Sequence, residues 1–539
     1  MLATLWAALP FARQLLWIVA VILALLIIRH IILLYRLFSP TRHLPCHWTL
    51  IGLDSLIGIL LPHIPFINRG HQFISKQNHE IFKKNGSDIV FCISFYPFPG
   101  WIAAFVADAA VAREVSSNRV AFPKPTEVYK TVSLYGTNVV ASEHEEWKLH
   151  RRVTAPSFSE RNNRLVFEEG SRLVSELFDL WSKQGNASRI EIGDVVGLTT
   201  QYALMVIAAA GFGARFAWDD RQKPGAGFTF TFQEALKTLM SNIIMRIALP
   251  DRILGLWQKG RDIRDASRDF KRYIENIIEV RQQQPAEDRK SDLLSSLIAA
   301  AALENSDLDK GSSKYSFGNE ELAGNVFIFL FAGHETTAHT LAFVLALLAV
   351  HQDVQRKLYE SLCELVAEGG KVTYADIVRW PYGLAVFYET LRLFPSVASY
   401  PKYAAEDSTF VTYSNDGKNT PIPVFVPKGE LIVIDVMALH YNPKYWKDPH
   451  EFRPERFMGD YNRDAFYPFA AGPRACMGRR FAEIEALTFL ANLVIAYRFE
   501  GTPLSDRETL EERNARLLRW SMGSITIHPE KVPLTMIRR

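Results

Sequence analysis

The loop Phe469-Ala-Ala-Gly-Pro-Arg-Ala-Cys-Met-Gly478 holds one cysteine, Cys476, between two glycines, and an apolar helical pattern from Phe481 to Ala496 follows it. A thiolate at the start of a helix is stabilised by the backbone N–H groups there. Arg474 adds a cation two residues before the sulfur. Such a loop suits a large anionic cofactor bound through sulfur, but a lone cysteine is more often an ordinary buried residue. The loop alone leaves both interpretations open.

The bulk properties exclude several classes of protein. The 539 residues are 48% hydrophobic, enough for a large core, and the net charge of +3 gives no sign of a nucleic-acid binder. The four cysteines are widely scattered: Cys46, Cys92, Cys363 and Cys476. Without a Cys-x-x-Cys pair, this set indicates a reducing compartment rather than a disulfide framework or a zinc site.

The N-terminus carries an apolar run of membrane-spanning length. Only Arg29 and His30 interrupt it between Leu15 and Tyr35, and ~20 apolar residues cross a bilayer. A cleaved signal peptide is the alternative, but the run is long and no small-residue cleavage site follows it. More arginines follow the run than precede it, which favours a cytosolic body. We therefore predict a membrane anchor over residues 1–38, with the span at about 15–35, and one catalytic domain over residues 39–539.

Helical periodicity predominates in the rest of the chain. Strands are predicted at Asp88–Phe95 and Trp101–Val106, with Asp108 as the N-cap of the next helix. The longest helical pattern runs from about Asn319 to Val350 and is apolar all round in its middle, as in a central buried helix or a membrane span. The polar sequence Gly333–Thr337 at its centre favours a functional interior, because each unpaired buried polar group costs ~1–3 kcal/mol. We predict one mainly α-helical body with a minor β portion.

After this helix, the pattern predicts two more helices, His351–Glu368 and Tyr382–Phe394. Short strands punctuated by proline follow, and a strand pair lies near Ser521–His528. The predicted short strands are Lys402–Tyr413, Pro421–Val426 and Leu431–Val436.

The second of these predicted helices contains a charged pair among apolar residues. Glu389 and Arg392 are three residues apart and therefore adjacent on one helix face. A solvated surface pair would contribute little, but the flanking residues are apolar and indicate burial. A buried pair needs further hydrogen-bond partners to offset desolvation, and Arg456 is a candidate for that role.

These motifs occur in the order found in the cytochrome P450 family, which the chain resembles from about Trp147 to Gly478. The cysteine loop matches the family's Phe-x-x-Gly-x-Arg-x-Cys-x-Gly signature, and Trp147–Arg151 matches its Trp-x-x-x-Arg element. The anchor fits the membrane-bound eukaryotic members. The segments predicted to line the substrate pocket are divergent, and they resemble those of fungal P450s of secondary metabolism. The chain departs from the pattern twice. It lacks the Pro-Pro-Gly-Pro connector, and Ser399 stands where some relatives carry an arginine for a haem propionate, with Lys402 as a nearby substitute.

The resemblance implies haem b, iron protoporphyrin IX, as the cofactor. Cys476 would be the axial thiolate ligand of the iron. The other cofactor-binding residues would hold the propionates or pack beside the ring and the sulfur; they are Arg474, Trp147, Arg151, Phe469 and Gly478.

The resemblance also implies two catalytic residues. Thr336 and Glu335 would organise water and protons at the oxygen-binding side as an acid–alcohol pair. Glu389, Arg392 and Arg456 would be structural, locking the core beneath the haem.

A zinc-protease helix is a rival interpretation of His334-Glu335-Thr336-Thr337-Ala338-His339. That motif needs its histidines four residues apart, whereas these are five apart and lie ~140° away from each other at ~100° per residue. Ala338 occupies the position of the missing ligand. We therefore expect His339 to be a packed or hydrogen-bonded core histidine and His334 to be a neighbour of the pocket.

Electrons must come from another protein, because the length leaves no room for a flavin reductase and no convincing dinucleotide fingerprint occurs. By resemblance the donor is NADPH–cytochrome P450 reductase, with cytochrome b5 as a second candidate. A basic docking patch near the cysteine loop would suit an acidic donor, although a solvated basic face explains the same residues. The patch would comprise Lys148, Arg151, Arg152, Arg479 and Arg480.

Together these features predict a single-pass protein of the endoplasmic reticulum membrane, with a cytosolic domain that oxidises an apolar small molecule with O2. In that orientation the sequons at Asn85 and Asn186 would be silent. An O2-independent isomerase or dehydratase of the same fold, or a non-enzymatic haem-binding membrane protein, is the alternative; the intact Glu335–Thr336 pair argues against both. The predicted pocket segments indicate a bulky compound such as a terpenoid, polyketide, fatty acid or alkaloid. They are residues 122–141, 228–247, 327–332 and 396–400.

Overall fold

The structure is a computed structural model, and it describes most of the chain. The described residues are 17–29, 31–32, 35, 39, 45–52, 58, 61, 63–69, 73, 75–96, 101–129, 132–183, 188–218, 224–284, 292–308, 317–367, 370–523 and 526–539. They form two compact units. The β unit comprises Met1–Lys124 and Ser399–Lys444, and the helical unit comprises Pro125–Ala398 and Tyr445–Arg539. The predicted boundary between residues 38 and 39 stays a prediction, because residues 36–38 and 40–44 lie outside the described part of the chain.

Helices predominate and strands are a minority, as predicted. The α-helices are α1 (Trp17–Arg29), α2 (Glu80–Asn85), α3 (Ala109–Ser117), α4 (Thr126–Tyr129), α5 (His144–Thr154), α6 (Glu160–Lys183), α7 (Val195–Val206), α8 (Phe232–Ser241), α9 (Ile243–Ala248), α10 (Asp251–Leu254), α11 (Gln258–Gln283), α12 (Leu293–Leu308), α13 (Asn319–Val350), α14 (Gln352–Cys363), α15 (Tyr374–Val378), α16 (Pro381–Leu393), α17 (Val436–His440), α18 (Arg479–Ala496) and α19 (Leu510–Leu517). The strands are β1 (Cys46–Ile51), β2 (Ile89–Tyr96), β3 (Trp101–Val106), β4 (Arg189–Ile192), β5 (Ser399–Tyr403), β6 (Ser408–Tyr413), β7 (Pro421–Val426), β8 (Leu431–Asp435), β9 (Tyr497–Gly501), β10 (Trp520–Met522), β11 (Ile527–Pro529) and β12 (Leu534–Arg538).

The β unit is built on a five-stranded mixed sheet in the order β1-β2-β3-β8-β5. Its central strands are buried and rich in β-branched and aromatic residues, which favour a pleated, packed surface. The predicted pair of strands, β2 and β3, is confirmed as antiparallel. The predicted cap is confirmed too, since the Asp108 carboxylate accepts from Ala110 N–H at 2.9 Å and from Val111 N–H at 3.2 Å.

One strand prediction in this unit is wrong. Lys402–Tyr413 is two strands in different sheets, because β5 pairs with β8 and β6 pairs with β7. Between them the backbone turns aside. Ala404 N–H donates to the Glu430 carbonyl and Ala405 N–H donates to the Ala121 carbonyl.

The helical unit is organised around α13, whose bounds match the predicted long helix. It packs against α7, α16, α18 and β9, and most of its length is buried. Gly324 permits a close approach on this helix, because a Cβ atom there would lie 2.3 Å from the Thr137 carbonyl oxygen. Two small sheets complete the unit: β4-β12-β9, and the β10-β11 hairpin that the sequence predicts near Ser521–His528.

The N-terminal span is not confirmed. Within the described residues, no single helix is both long and apolar enough to cross a bilayer. α1 is a short apolar helix inside the predicted span, and residues 15–16, 30 and 33–34 of that span lie outside the described part. Helices α13 and α14 meet the length and composition criterion only together, across a bend of 109°. Asn186 also lies outside the described residues, whereas the Asn85 amide donates to the Ile81 carbonyl at 2.6 Å.

Candidate active site

The cysteine loop ends at the first turn of α18, as the sequence predicts. Ala470 and Gly472 adopt positive φ angles of 54° and 68°, which fold the loop back on itself. Cys476 N–H then donates to the Phe469 carbonyl at 2.9 Å. The backbone N–H groups of Gly478 and Arg479 lower the pKa of the Cys476 thiol. The helix N-terminus is therefore directed at the thiol.

The electrostatic balance at Cys476 suits a metal ligand. Desolvation by the surrounding protein raises the pKa of the thiol, while the two backbone donors and the Arg151 and Arg479 charges act in the opposite direction. The side chain keeps accessible surface despite these neighbours. A coordinated metal ion removes the thiol proton outright. The residues present therefore fit an iron-bound thiolate.

Gly478 keeps space open beside the sulfur. A Cβ atom at this position would lie 3.9 Å from the Cys476 sulfur and 3.7 Å from the Phe158 ring. Any side chain longer than a methyl group would therefore extend into the space around the ligand atom. Gly478 therefore leaves room beside the sulfur, and its position next to the haem ring stays a prediction.

Helix α5 holds the loop from the other side and brings three predicted residues together. Arg151 Nη1 donates to the Ala475 carbonyl at 3.3 Å. The Arg474 guanidinium lies 4.2 Å from the centre of the buried Trp147 ring. Arg474 also forms an ion pair with Glu143 at 2.6 Å, and both side chains are almost fully buried. The sequence pattern does not indicate Glu143 as a partner of Arg474. The contacts of Arg151, Trp147 and Arg474 with the haem propionates stay a prediction.

Phe469 lies under the first turn of α18. The Arg479 guanidinium is 5.5 Å from the centre of its ring, and it is held there by Glu483 at 2.9 Å and by the Tyr388 hydroxyl at 2.6 Å. Burial raises the pKa of Tyr388, so its hydroxyl stays protonated and donates to Glu483. This cluster fixes Arg479, one of the two cations whose charges act on the Cys476 thiol.

The predicted basic patch is partly neutralised by acidic neighbours. Arg480 pairs with Glu483 at 3.1 Å, and Arg152 pairs with Glu304 at 2.9 Å. Lys148 pairs with the neighbouring acid on its own helix, Glu145. The patch therefore carries less net positive charge than its sequence indicates.

The centre of α13 is where this buried helix becomes accessible. From Leu322 to Ala349 all side chains are buried except those at four positions: Ala332, Gly333, Glu335 and Thr336. Both predicted catalytic residues are among them. The Thr336 hydroxyl donates to the Ala332 carbonyl at 2.8 Å. The Thr336 backbone carbonyl accepts from the hydroxyls of Thr340 at 2.8 Å and Ser396 at 3.2 Å.

Glu335 has the environment of an acid. Burial raises the pKa of its carboxyl, and a hydrogen bond from Thr526 and the charge of His528 partly oppose this shift. A raised pKa stabilises the protonated carboxyl group, which is the form that can donate a proton. Glu335 and Thr336 therefore form a group suited to handling protons. Thr526, just before β11, and His528 on β11 act on Glu335, and the sequence pattern does not indicate either of them.

The two histidines of the rival zinc motif contact different partners. His334 Nδ1 lies 2.6 Å from the Leu330 carbonyl, and His339 Nδ1 lies 3.3 Å from the Thr526 hydroxyl. Burial lowers the pKa of both rings, that of His339 to about 3. His339 is therefore a hydrogen-bonded core histidine, as expected.

The Glu389–Arg392 pair is buried and is closed by Arg456, which confirms the predicted network. Arg392 donates to the Glu389 carboxylate at 2.7 and 2.8 Å, and Arg456 Nε donates to it at 3.2 Å. Arg392 also donates to the carbonyls of Pro449 at 2.8 Å and Glu451 at 3.0 Å. These carbonyls supply the extra partners that a buried pair needs.

Aromatic rings from three of the four predicted pocket segments pack together in the helical unit. Phe327 contacts Tyr135 at 5.0 Å and stacks on Phe331 at 5.9 Å between ring centres. Phe232 joins them through Phe270 at 5.3 Å. This apolar cluster covers the face of α13 one to two turns before Glu335.

Three comparisons place the chain beside known proteins. The family model described as "Cytochrome P450" matches residues 61–527. The chain is 40% identical over 497 residues to "Cytochrome P450 monooxygenase 124" of Postia placenta, covering 90% of this chain and 93% of the relative. It is 28% identical to "Cytochrome P450 monooxygenase prx9" of Penicillium rubens, over 81% and 80% of the two chains. The crystal structure of the cytochrome P450DA heme domain superposes with a TM-score of 0.70 over 92% of this chain and 98% of that one; at 22% identity it shows the fold alone.

Proposed function

The chain belongs to the cytochrome P450 family and is a P450 monooxygenase; from this premise we propose that it is anchored in a membrane and oxidises a bulky apolar small molecule. Members of the family bind haem b through a cysteine thiolate and receive electrons from a reductase. When bound, haem supplies the activation of O2. The chain's own residues hold the iron at Cys476 and manage protons at Glu335 and Thr336.

One observation carries the proposal. The single accessible stretch of the otherwise buried middle of α13 contains both an acid and an alcohol, Glu335 and Thr336. Placing an acid and an alcohol in the middle of an apolar helix costs free energy. Their presence there therefore points to a use in the reaction. Their presence also favours O2 chemistry over an isomerase or dehydratase, which has no bound oxygen to protonate.

The substrate proposal rests on the aromatic cluster before Glu335. Phe327, Phe331, Tyr135 and Phe232 form a buried apolar cluster that leads up to the accessible stretch of α13. A polycyclic or long-chain apolar skeleton, such as a terpenoid, suits such apolar surroundings. The relatives from Postia placenta and Penicillium rubens both come from fungi, and a role in fungal secondary metabolism is part of the same proposal.

The proposed electron donor is a separate NADPH–cytochrome P450 reductase, with cytochrome b5 as a second donor. The family model matches residues 61–527 as a cytochrome P450, so these residues are assigned to the P450 domain and not to a flavin domain. We place the enzyme in the endoplasmic reticulum membrane, with its catalytic domain in the cytosol. The apolar run at residues 15–35 supports that placement.

Deletion of residues 1–38 tests the anchor. The full-length protein should sediment with microsomes after a high-salt wash, because a spanning helix resists salt while electrostatic surface binding does not. The deleted form should move largely to the supernatant or become removable by salt. A second test variant is the full chain with Leu23→Arg and Leu26→Arg. The two charges should weaken insertion without shortening the chain. Unchanged sedimentation of both variants would contradict the anchor.

Thr336→Ala tests the monooxygenase assignment. We expect the variant to retain haem and to consume NADPH with the reductase. Product from a panel of apolar candidates should fall about tenfold or more while hydrogen peroxide rises, because proton management contributes ~10²–10⁴-fold in such steps. Thr336→Ser, which keeps the hydroxyl, is the matched control and should stay near the parent. Equal product per NADPH in Thr336→Ala would contradict the assignment, as would parental product that carries no oxygen from isotope-labelled O2.

A further inference from the structure

Arg474, one of the residues predicted to hold a haem propionate, already has a carboxylate partner from its own chain. Its Nη2 atom lies 2.6 Å from Glu143 Oε1, and each of the two side chains is only 6% exposed. Arg474 is in the cysteine loop, whereas Glu143 directly precedes α5. Because water screens a buried pair much less than an exposed one, Glu143 neutralises much of the guanidinium charge.

The segment from Val139 to Glu143 holds the guanidinium at further acceptors besides the carboxylate. Arg474 Nη2 donates to the Ser142 carbonyl at 3.0 Å, and Nη1 donates to the Val139 carbonyl at 3.4 Å. This segment is itself tied to α13, because Val139 N–H donates to the Asn325 side-chain oxygen at 3.1 Å. The position of the Arg474 charge is therefore set by contacts within the chain, without any contribution from a cofactor.

A buried guanidinium needs an anionic partner. Removing a charge from water costs free energy, which an opposite charge with additional hydrogen-bond partners offsets. Arg151, the other arginine predicted to hold a propionate, donates to the Ala475 backbone carbonyl at 3.3 Å. Within the described residues, Arg474 is the one of these two arginines that forms an ion pair.

Haem b carries propionate carboxylates, so its binding brings a second anion to the same guanidinium. We propose that Glu143 is a stand-in for the haem carboxylate: it neutralises Arg474 in the haem-free protein and competes for Arg474 in the haem-bound protein. Two carboxylates beside one cation repel each other, so the second is held less tightly than it would be by an uncompensated arginine. The inference rests on haem binding, which the family shares, and on the predicted contact of Arg474 with a propionate. It does not depend on the proposed substrate or anchor.

Glu143→Gln separates this role from a purely structural one. In the haem-free protein the substitution leaves a buried guanidinium without its counter-ion, which destabilises the fold. In the haem-bound protein the haem carboxylate compensates the Arg474 charge, so the loss of stability is smaller and haem is held more tightly. A residue that only fixed Arg474 in place would have the opposite effect, because a displaced guanidinium holds the haem carboxylate less well.

The test is the transfer of haem from the haem-loaded full chain to an excess of apomyoglobin, followed by the absorbance of the myoglobin formed. The probes are haem b and its dimethyl ester, in which the carboxylates are blocked. Glu143→Gln should release haem b about tenfold more slowly than the parent, because a like charge beside the haem carboxylate is removed. The ester should leave the parent and the variant at equal rates, since it has no charge for Glu143 to repel.

Glu145→Gln is the matched control. Glu145 is an acid in the first turn of α5, two residues after Glu143, and its ion pair is with Lys148 on the same helix. The control removes the same charge close to the same place without touching Arg474. It should release haem b and the ester at the parental rates.

Unchanged or faster release of haem b from Glu143→Gln would overturn the proposal. Equal slowing of haem b and the ester would overturn it as well, because the effect would then not act on the carboxylates; so would an equal slowing in Glu145→Gln. Glu143→Asp is the second variant if the glutamine variant does not retain haem. Its carboxylate is one methylene shorter and neutralises Arg474 less, so haem b should leave more slowly by a smaller factor, and unchanged or faster release would again overturn the proposal. No readout needs turnover, so an enzyme that oxygenates nothing would contradict the proposed function and leave the role of Glu143 standing.

Discussion

Cys476→Ala is expected to abolish the red-shifted Soret band of the reduced, carbon monoxide-bound protein, together with all reductase-driven oxidation. The band requires a thiolate ligand, and Cys476 is the cysteine whose sulfur faces the N-terminus of α18 with Arg151 and Arg479 close by. Loss of the ligand removes the iron–sulfur bond itself, so we expect complete loss of the band. The measurement is the difference spectrum of purified protein after addition of dithionite and carbon monoxide.

Matched controls come from the other cysteines. Cys363 is exposed on α14 and Cys92 is buried in β2 of the β unit. Cys363→Ala and Cys92→Ala should both keep the band, the second with some loss of stability because a buried side chain is shortened. A band that survives in Cys476→Ala, or disappears in Cys363→Ala, would show that the ligand is assigned to the wrong residue.

The residues that the sequence places correctly are those whose partners are set by short spacing. Cys476 precedes its helix by three residues, and Glu389 and Arg392 are on adjacent positions of one helix face. Because α13 is otherwise largely apolar, the polar residues in its middle likewise stand out in the sequence. In each case local geometry brings the groups together, so the sequence is sufficient to predict the contact.

The contacts that the sequence does not predict join residues far apart in the chain. Glu143 meets Arg474, and Thr526 meets His339. The sheet β4-β12-β9 is of the same kind, because its strands come from residues near 190, 500 and 535. Nothing in the spacing of such residues distinguishes them from others of their type. The single strand predicted over Lys402–Tyr413 failed for a related reason: the turn within it is made by carbonyls of distant residues.

Two ion-pair groups of the helical unit, one around Arg479 and one around Glu389, differ in what they do. Glu483 and Tyr388 hold the Arg479 guanidinium near the sulfur, and the Arg479 side chain remains half exposed. Glu389 and Arg392 are completely buried. Because every oxygen and nitrogen in the buried group has a specific backbone or side-chain partner, it is suited to fixing the segment from Pro449 to Arg456 rather than to chemistry.

Glu389→Gln should therefore cause a large loss of stability with little change in side-chain volume. The carboxylate accepts from Arg392, from Arg456 and from the Arg453 N–H at 2.9 Å. The substitution leaves two guanidinium groups without their counter-ion in a desolvated site. Breaking a buried pair in this way costs about 3–5 kcal/mol, a large share of the ~5–15 kcal/mol that stabilises typical domains. The midpoint of urea unfolding, followed by tryptophan fluorescence and haem absorbance, should fall accordingly.

Glu500→Gln is the matched control for this prediction. Glu500 pairs with Arg498 at 3.0 Å on β9, and both side chains are largely exposed. Removing that charge should change the free energy of unfolding by about 0–1 kcal/mol, because water screens exposed pairs. Equal effects of the two substitutions would contradict the structural role of the buried group. A loss of haem in Glu389→Gln at a temperature where Glu500→Gln retains it would link that stability directly to the cofactor site.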